Sequence, residues 1–297
     1  ALLKNILQGN LQIPMWDMSI GFGMNILQVI SFDPVYILCS VLFVHDIAVG
    51  IAIFDMLCLY LAGIMFIALC YNLGCNRYAA LAAALAYIFN GYILNYCIAQ
   101  NSFLRLFIVL PMILLGVYNV TKKNRYGIFV LAVLYNITLG PLNIYTIGIV
   151  LIFCFCMAYI FSDRKKGVAD FFSYIWKPVL IYILEMLVMA VFLIPTMYKV
   201  VSGGRIGNAS INFQWLYDVS YYRSLFHGLV GIDEIGIHGY LGVTTLAVLA
   251  VVSLVTRRKK NILEKKLCVF GIIALFLAIF PIGSYLFNGG IGFNHRF

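Results

Sequence analysis

The run Ala48–Tyr71, AVGIAIFDMLCLYLAGIMFIALCY, decides the fold, because it holds a single charged residue, Asp55, in a stretch long enough to cross a membrane. At about 1.5 Å of rise per residue it extends roughly 36 Å as a helix, and the hydrocarbon core of a bilayer is about 30 Å thick. Seven further apolar runs follow, at Tyr78–Cys97, Phe103–Val120, Tyr126–Leu139, Leu142–Phe161, Tyr174–Tyr198, Gly239–Thr256 and Leu267–Phe287, the Tyr126–Leu139 run being short. The whole chain agrees with them, being 64% hydrophobic and 10% charged. A soluble domain carries about a quarter of its residues charged. Backbone exposed to lipid must close its hydrogen bonds internally, so the expected fold is all-α, a polytopic transmembrane helical bundle of about eight spans.

The net charge of +9 does not point to nucleic acid, because the cations fall in short clusters between apolar runs. Thirteen of the twenty basic residues sit at Arg77, at Lys122, Lys123 and Arg125, at Arg164 to Lys166, and between Arg257 and Lys266. These four loops alternate with poorly basic ones, the pattern of cytoplasmic loops. Residues 1–47 then form an external first loop, 48–198 contain six spans, 199–238 are a long external loop, 239–287 contain two spans, and 288–297 are external again. The eight cysteines lie mostly inside the apolar runs without paired ligand spacing, and read as small core residues. The chain starts at Ala1 without an initiator Met and stops in a Gly-rich polar stretch, so the expectation is a piece of a longer polypeptide with a span ahead of Ala1.

Ahead of the first span lies IPMWDMSIGFGMNILQVISFDP, residues Ile13–Pro34, the most site-like stretch of the chain. Gly21 and Gly23 lack the strand-to-helix context of a dinucleotide loop and instead permit a tight backbone path around Trp16, Asp17 and Asn25. Val35–Val44 is too short to span, and reads either as an interfacial or re-entrant helix on the outer face or as a short connector with a buried apolar face. Gly140–Pro141 reads as a tight external turn between two helices.

The polar residues of the outer side are unevenly distributed. The first loop supplies Asp17 and Asp33, the second Asn101, the long loop Arg205 and Arg223, and the end His295 and Arg296. Carboxylates serve as general bases or bind divalent cations, and the planar guanidinium holds phosphate through two hydrogen bonds. The combination suits a phosphorylated lipid headgroup. The competing interpretation is that loops carry Asp and Arg for solubility alone. Arg105 is sharper, since it lies at the start of an apolar run, where it either snorkels outward or meets a first-loop carboxylate. Glu185 lies in the middle of its run and is expected to face the bundle interior, whereas Asp55 can reach the outer interface. No cofactor is assigned; the carboxylates are compatible with a divalent cation, and no spacing requires a metal. Metalloprotease, Walker and nucleophile-elbow patterns are all absent from the sequence.

In order along the chain, IPMWDMSIGFGMN, SFDPVYIL, AYIFNGYI around Asn90–Gly91, NSFLRLFIVLPMILLG, PLNIYTIGIVL, LIPTMYKVVSGGR, HGYLGVTTLAVL and NGGIGFNHRF resemble the YfhO family of bacterial membrane proteins, grouped with the GT-C-type integral membrane glycosyltransferases. The resemblance implies a GT-C-like multi-pass protein of the bacterial cytoplasmic membrane with its active face outside. It also implies a polyprenyl-phosphate-linked sugar donor and an envelope acceptor, a teichoic acid or glycolipid, with membrane lipid around the site and no nucleic acid. On that basis Asp17 and Asp33 are the candidate catalytic or acceptor-positioning carboxylates. Arg105, Arg205, Arg223, His295, Arg296, Asn101 and Trp16 are the candidates for phosphate or substrate binding. The acidic position that many such enzymes place after their first span would fall upstream of Ala1. Two other classes stay open: a lipid or sugar flippase or other transporter, expected to carry polar residues through the bundle, and a non-catalytic envelope-assembly protein.

Overall fold

The computed structural model describes residues 16–17, 24–25, 33–91, 93, 103–138, 167–190, 194, 198, 216–223 and 245–257, with scattered positions from 261 to 281. Its elements are two short strands, β1 (Trp16–Asp17) and β2 (Met24–Asn25), and seven helices: α1 (Pro34–Leu42), α2 (Ile47–Asn72), α3 (Arg77–Ile88), α4 (Leu106–Lys123), α5 (Gly127–Thr138), α6 (Gly167–Val188) and α7 (Thr245–Thr256). A single turn of helix at 219–223 adds to these. The architecture of the described residues is helical apart from the β1–β2 pairing.

Local chemistry sets the helix starts. Asp33 caps α1, its carboxylate accepting from the Val35 and Tyr36 amides at 2.8 and 3.1 Å, with Pro34 in the first turn where a missing N–H is harmless. Asp46 caps α2 through Val49, and Asn76 caps α3 through Ala79. At the other end of α4, Asn124 takes the left-handed conformation (φ 50°), and Lys122 and Lys123 occupy the last turn, where the helix dipole favours cations.

Helix α4 is the core of the bundle, burying Ile108, Val109, Ile113, Leu114, Leu115, Val117 and Val120 between α2 on one side and α5 on the other. The α4–α5 crossing is close at Gly116, where an added Cβ would lie 2.7 Å from Phe129 Cα. Pro111 removes the amide that would bond the Phe107 carbonyl one turn earlier. The Tyr87 hydroxyl of α3 fills the gap, donating to Phe107 O at 2.9 Å. Outward, α2 presents Met56, Leu57, Tyr60 and Ile64, and α3 presents Leu81 and Leu85, an apolar exterior suited to lipid.

Two of the described helices, Ala48–Asn72 and Leu106–Lys123, are long and apolar enough to cross a membrane. The expected Tyr78–Cys97 helix is interrupted, because α3 stops at Ile88 and Asn90 opens a new turn. Its side-chain Nδ2 donates to Tyr87 O at 2.6 Å and its side-chain Oδ1 accepts from Ile93 N at 2.9 Å. Helix α6 begins at Gly167, ahead of the expected Tyr174. Leu142–Phe161 and the Gly140–Pro141 turn lie outside the described residues, as does most of Leu267–Phe287.

The polar ends of the helices sort to opposite sides. Lys123 donates to Asn72 at 2.6 Å and Lys177 to Asn124 at 3.2 Å, tying α2, α4 and α6 together at the basic end. The other pole is built around Asp33 and Arg105.

Candidate functional site

Helix α1 doubles back along the first half of α2. Tyr36 meets Phe54 edge to face at 5.4 Å, and Gly50 leaves room for Phe43 and the Cys39 carbonyl. Asp33, at the foot of α1, is thus level with Phe54, roughly 10 Å along α2 from its start. The segment expected at Val35–Val44 is thus a short helix packed on α2. The segment is helical because Asp33–Pro34 is a strong start signal, and it ends at Phe43, before the Asp46 cap opens α2.

At that foot the Asp33 carboxylate is fully buried and uses both oxygens. One caps α1, and the other accepts the Tyr135 hydroxyl of α5 at 2.9 Å and faces Arg105 Nε at 3.4 Å. Arg105 stands at the N-cap position of α4, where the helix dipole disfavours a cation, so Asp33 offsets both the dipole and the cost of burial. The guanidinium lies 5.5 Å from the Phe54 ring centroid and 5.7 Å from that of Tyr36. Asp55, one residue beyond Phe54, lies within the electrostatic reach of Arg105, and its buried Oδ1 has no hydrogen-bond partner. Around this cluster pack Cys39, Phe54, Cys58, Ile93, Leu104 and Ile108. Burial, and then the Asp33 carboxylate, push the Cys39 thiol up from its ordinary range.

The structure therefore joins two of the candidate residues, Asp33 and Arg105, and identifies the first-loop carboxylate that Arg105 meets. Trp16 and Asp17 form β1, antiparallel to β2, with Trp16 opposite Asn25 and Asp17 opposite Met24. Gly21 and Gly23, and the tight path expected of them, lie outside the described residues. Arg223 ends the 219–223 turn and is exposed. Beside it Tyr217 and Tyr221 stack at 4.0 Å, and the Tyr222 hydroxyl donates to Ile279 O at 3.1 Å. Burial, and then Tyr222, raise the Tyr221 phenol. Asn101, Arg205, His295 and Arg296 lie outside the described residues.

Sequence reasoning missed Tyr36, Phe54 and Tyr135, which build the walls of the Asp33–Arg105 cluster. Each sits inside an apolar run where an aromatic residue carries no signal of its own. Among the described residues no three His, Cys, Asp or Glu side chains converge as a metal site. Asp33 and Arg105 together form a desolvated charge pair that locks the foot of α1 to the head of α4.

A family model described as Bacterial membrane protein YfhO matches residues 1–297. Comparison with curated proteins and with solved structures gives no match.

Proposed function

Because the chain belongs to the YfhO family of bacterial membrane proteins, we propose that it is a multi-pass, GT-C-like glycosyltransferase. It moves a sugar from a polyprenyl-phosphate-linked donor to an envelope acceptor, a teichoic acid or glycolipid, on the outer face of the cytoplasmic membrane. In this reading Asp17 withdraws the proton from the acceptor hydroxyl, whose oxygen attacks the anomeric carbon while the bond to the phosphate oxygen breaks, with inversion. Arg205, Arg223, His295 and Arg296 stabilise the charge on the departing polyprenyl phosphate, and Trp16 and Asn101 contact the sugar. With both of its oxygens engaged, Asp33 takes the positioning role, and Arg105 supports it.

The observation that carries the reading is the Asp33–Arg105 pair at the foot of α1. It fixes the last part of Ile13–Pro34, the stretch that carries Asp17, to the bundle by a buried, hydrogen-bonded charge, and a catalytic group on a loop requires a supported scaffold. The test is sugar transfer from a radiolabelled polyprenyl-phosphate donor in membranes containing the complete protein. Asp17→Asn is expected to abolish transfer and Arg296→Ala to reduce it strongly. Full transfer by both variants, each normally folded, overturns the site assignment.

One observation favours the transporter reading. Glu185 of α6 is buried, and neither of its carboxylate oxygens has a hydrogen-bond partner. A transporter predicts that Glu185→Gln stops movement of a lipid-linked sugar across the bilayer, whereas a transferase predicts that product formation from an externally supplied donor survives the substitution.

A further inference from the structure

Helix α2 ends in a turn whose geometry brings two cysteines together. Gly74 adopts a φ of 86°, the left-handed conformation that ends many helices. Its amide bonds Tyr71 O at 3.1 Å, and the Cys75 amide bonds Cys70 O at 3.0 Å. In this glycine cap the side chains flanking the turn, here Cys70 and Cys75, pack against each other, and that contact is ordinarily hydrophobic. The bond from the Cys75 amide to the Cys70 carbonyl brings the two residues together across the turn. Cys70 is buried and Cys75 is exposed, so the pair consists of one thiol open to reagents and one shielded behind it.

We propose that Cys70 and Cys75 are a reactive dithiol that closes to an intramolecular disulfide by exchange with a small-molecule disulfide. The exposed Cys75 thiolate attacks one sulfur of the reagent, forming a mixed disulfide and releasing one thiolate. Cys70, as its thiolate, then attacks Cys75 Sγ, forming the Cys70–Cys75 bond and expelling the second reagent thiolate. The two cysteines lose two electrons and two protons, and the reagent disulfide is reduced to two thiols. The backbone already holds the two residues in one hydrogen-bonded turn, so closure joins neighbours in space. The modification site lies beside Asn72, which accepts from Lys123, at the basic end of the bundle.

The experiment treats the purified full chain with oxidised glutathione, blocks remaining thiols with N-ethylmaleimide, and maps the peptide containing both cysteines by mass spectrometry. The wild type is expected to lose two hydrogens in that peptide, to carry neither maleimide nor glutathione there, and to recover both thiols after dithiothreitol. Cys70→Ala is expected to accumulate a glutathione adduct on Cys75, and Cys75→Ser, a change at an exposed position, to leave Cys70 unmodified. A lasting glutathione adduct on Cys75 in the wild type, as abundant as in Cys70→Ala, overturns the proposal. So does a wild type whose two thiols remain fully free to alkylate after the oxidant.

Discussion

Arg105 Nε lies 3.4 Å from Asp33 Oδ2, and this one contact ties the foot of α1 to the head of the central helix. The pair is buried on both sides, and the carboxylate also caps α1 and accepts from Tyr135. Breaking one side of a buried pair is far costlier than removing both. Asp33→Asn is expected to lower stability by about 3–5 kcal/mol, and Asp33→Asn with Arg105→Met to recover more than half of the loss. Thermal unfolding of detergent-solubilised single and double variants measures both, and additive losses refute the coupling.

The Tyr87 hydroxyl stands in for the amide that Pro111 lacks. Tyr87→Phe removes the hydroxyl that donates to the Phe107 carbonyl and is expected to cost about 1–3 kcal/mol. Replacing Pro111 by Ala in the same background restores a backbone amide to that carbonyl and should return most of the loss. Equal damage by Tyr87→Phe with and without Pro111→Ala contradicts the account.

At Gly116 the neighbour is backbone, Phe129 Cα, so the helix crossing cannot adapt by turning a side chain. Gly116→Ala is expected to destabilise by about 1–3 kcal/mol, and shortening Phe129 to Ala should not rescue it. A Gly116→Ala variant with an unchanged melting temperature shows that α4 and α5 do not approach as closely as described.

Among the described cysteines, Cys75 is exposed while Cys39 is buried. The raised thiol of Cys39 adds to its shielding, since less thiolate is present at any pH up to its elevated range. Between neutral and mildly alkaline pH, maleimide should modify Cys75 well ahead of Cys39, both rates rising with pH. In whole cells carrying Cys75 as the single cysteine, an impermeant maleimide should label it only after the membrane is opened, because the adjacent Arg77 loop is expected inside. Labelling of intact cells reverses the assigned orientation.

Much of this architecture is legible along the chain, because a membrane helix is a one-dimensional signal. Ala48–Tyr71 reads as a span from its composition, and α2 covers it almost residue for residue. Asp33–Pro34 and Asp46 announce two helix starts through their capping chemistry, and both are used. Interruption of the second run, Tyr78–Cys97, is not legible along the chain, since Asn90–Gly91 is a weak break and only the hydrogen bonds of Asn90 to Tyr87 and Ile93 turn it into an end and a new start.

Composition and charge placement along the chain are enough to say that this is a helical membrane protein and that Arg105 is an expensive residue in need of a partner. They suffice because hydrophobicity, charge and capping are local properties, each visible within one turn or one run. Only the tertiary structure decided that the partner is Asp33, with Tyr135 completing its hydrogen bonds and Tyr36 and Phe54 walling the guanidinium. Those residues come from four segments separated along the chain, and their meeting depends on α1 doubling back on α2 and on the close crossing of α4 and α5. No local pattern encodes such a meeting, because it is set by which helix faces pack together.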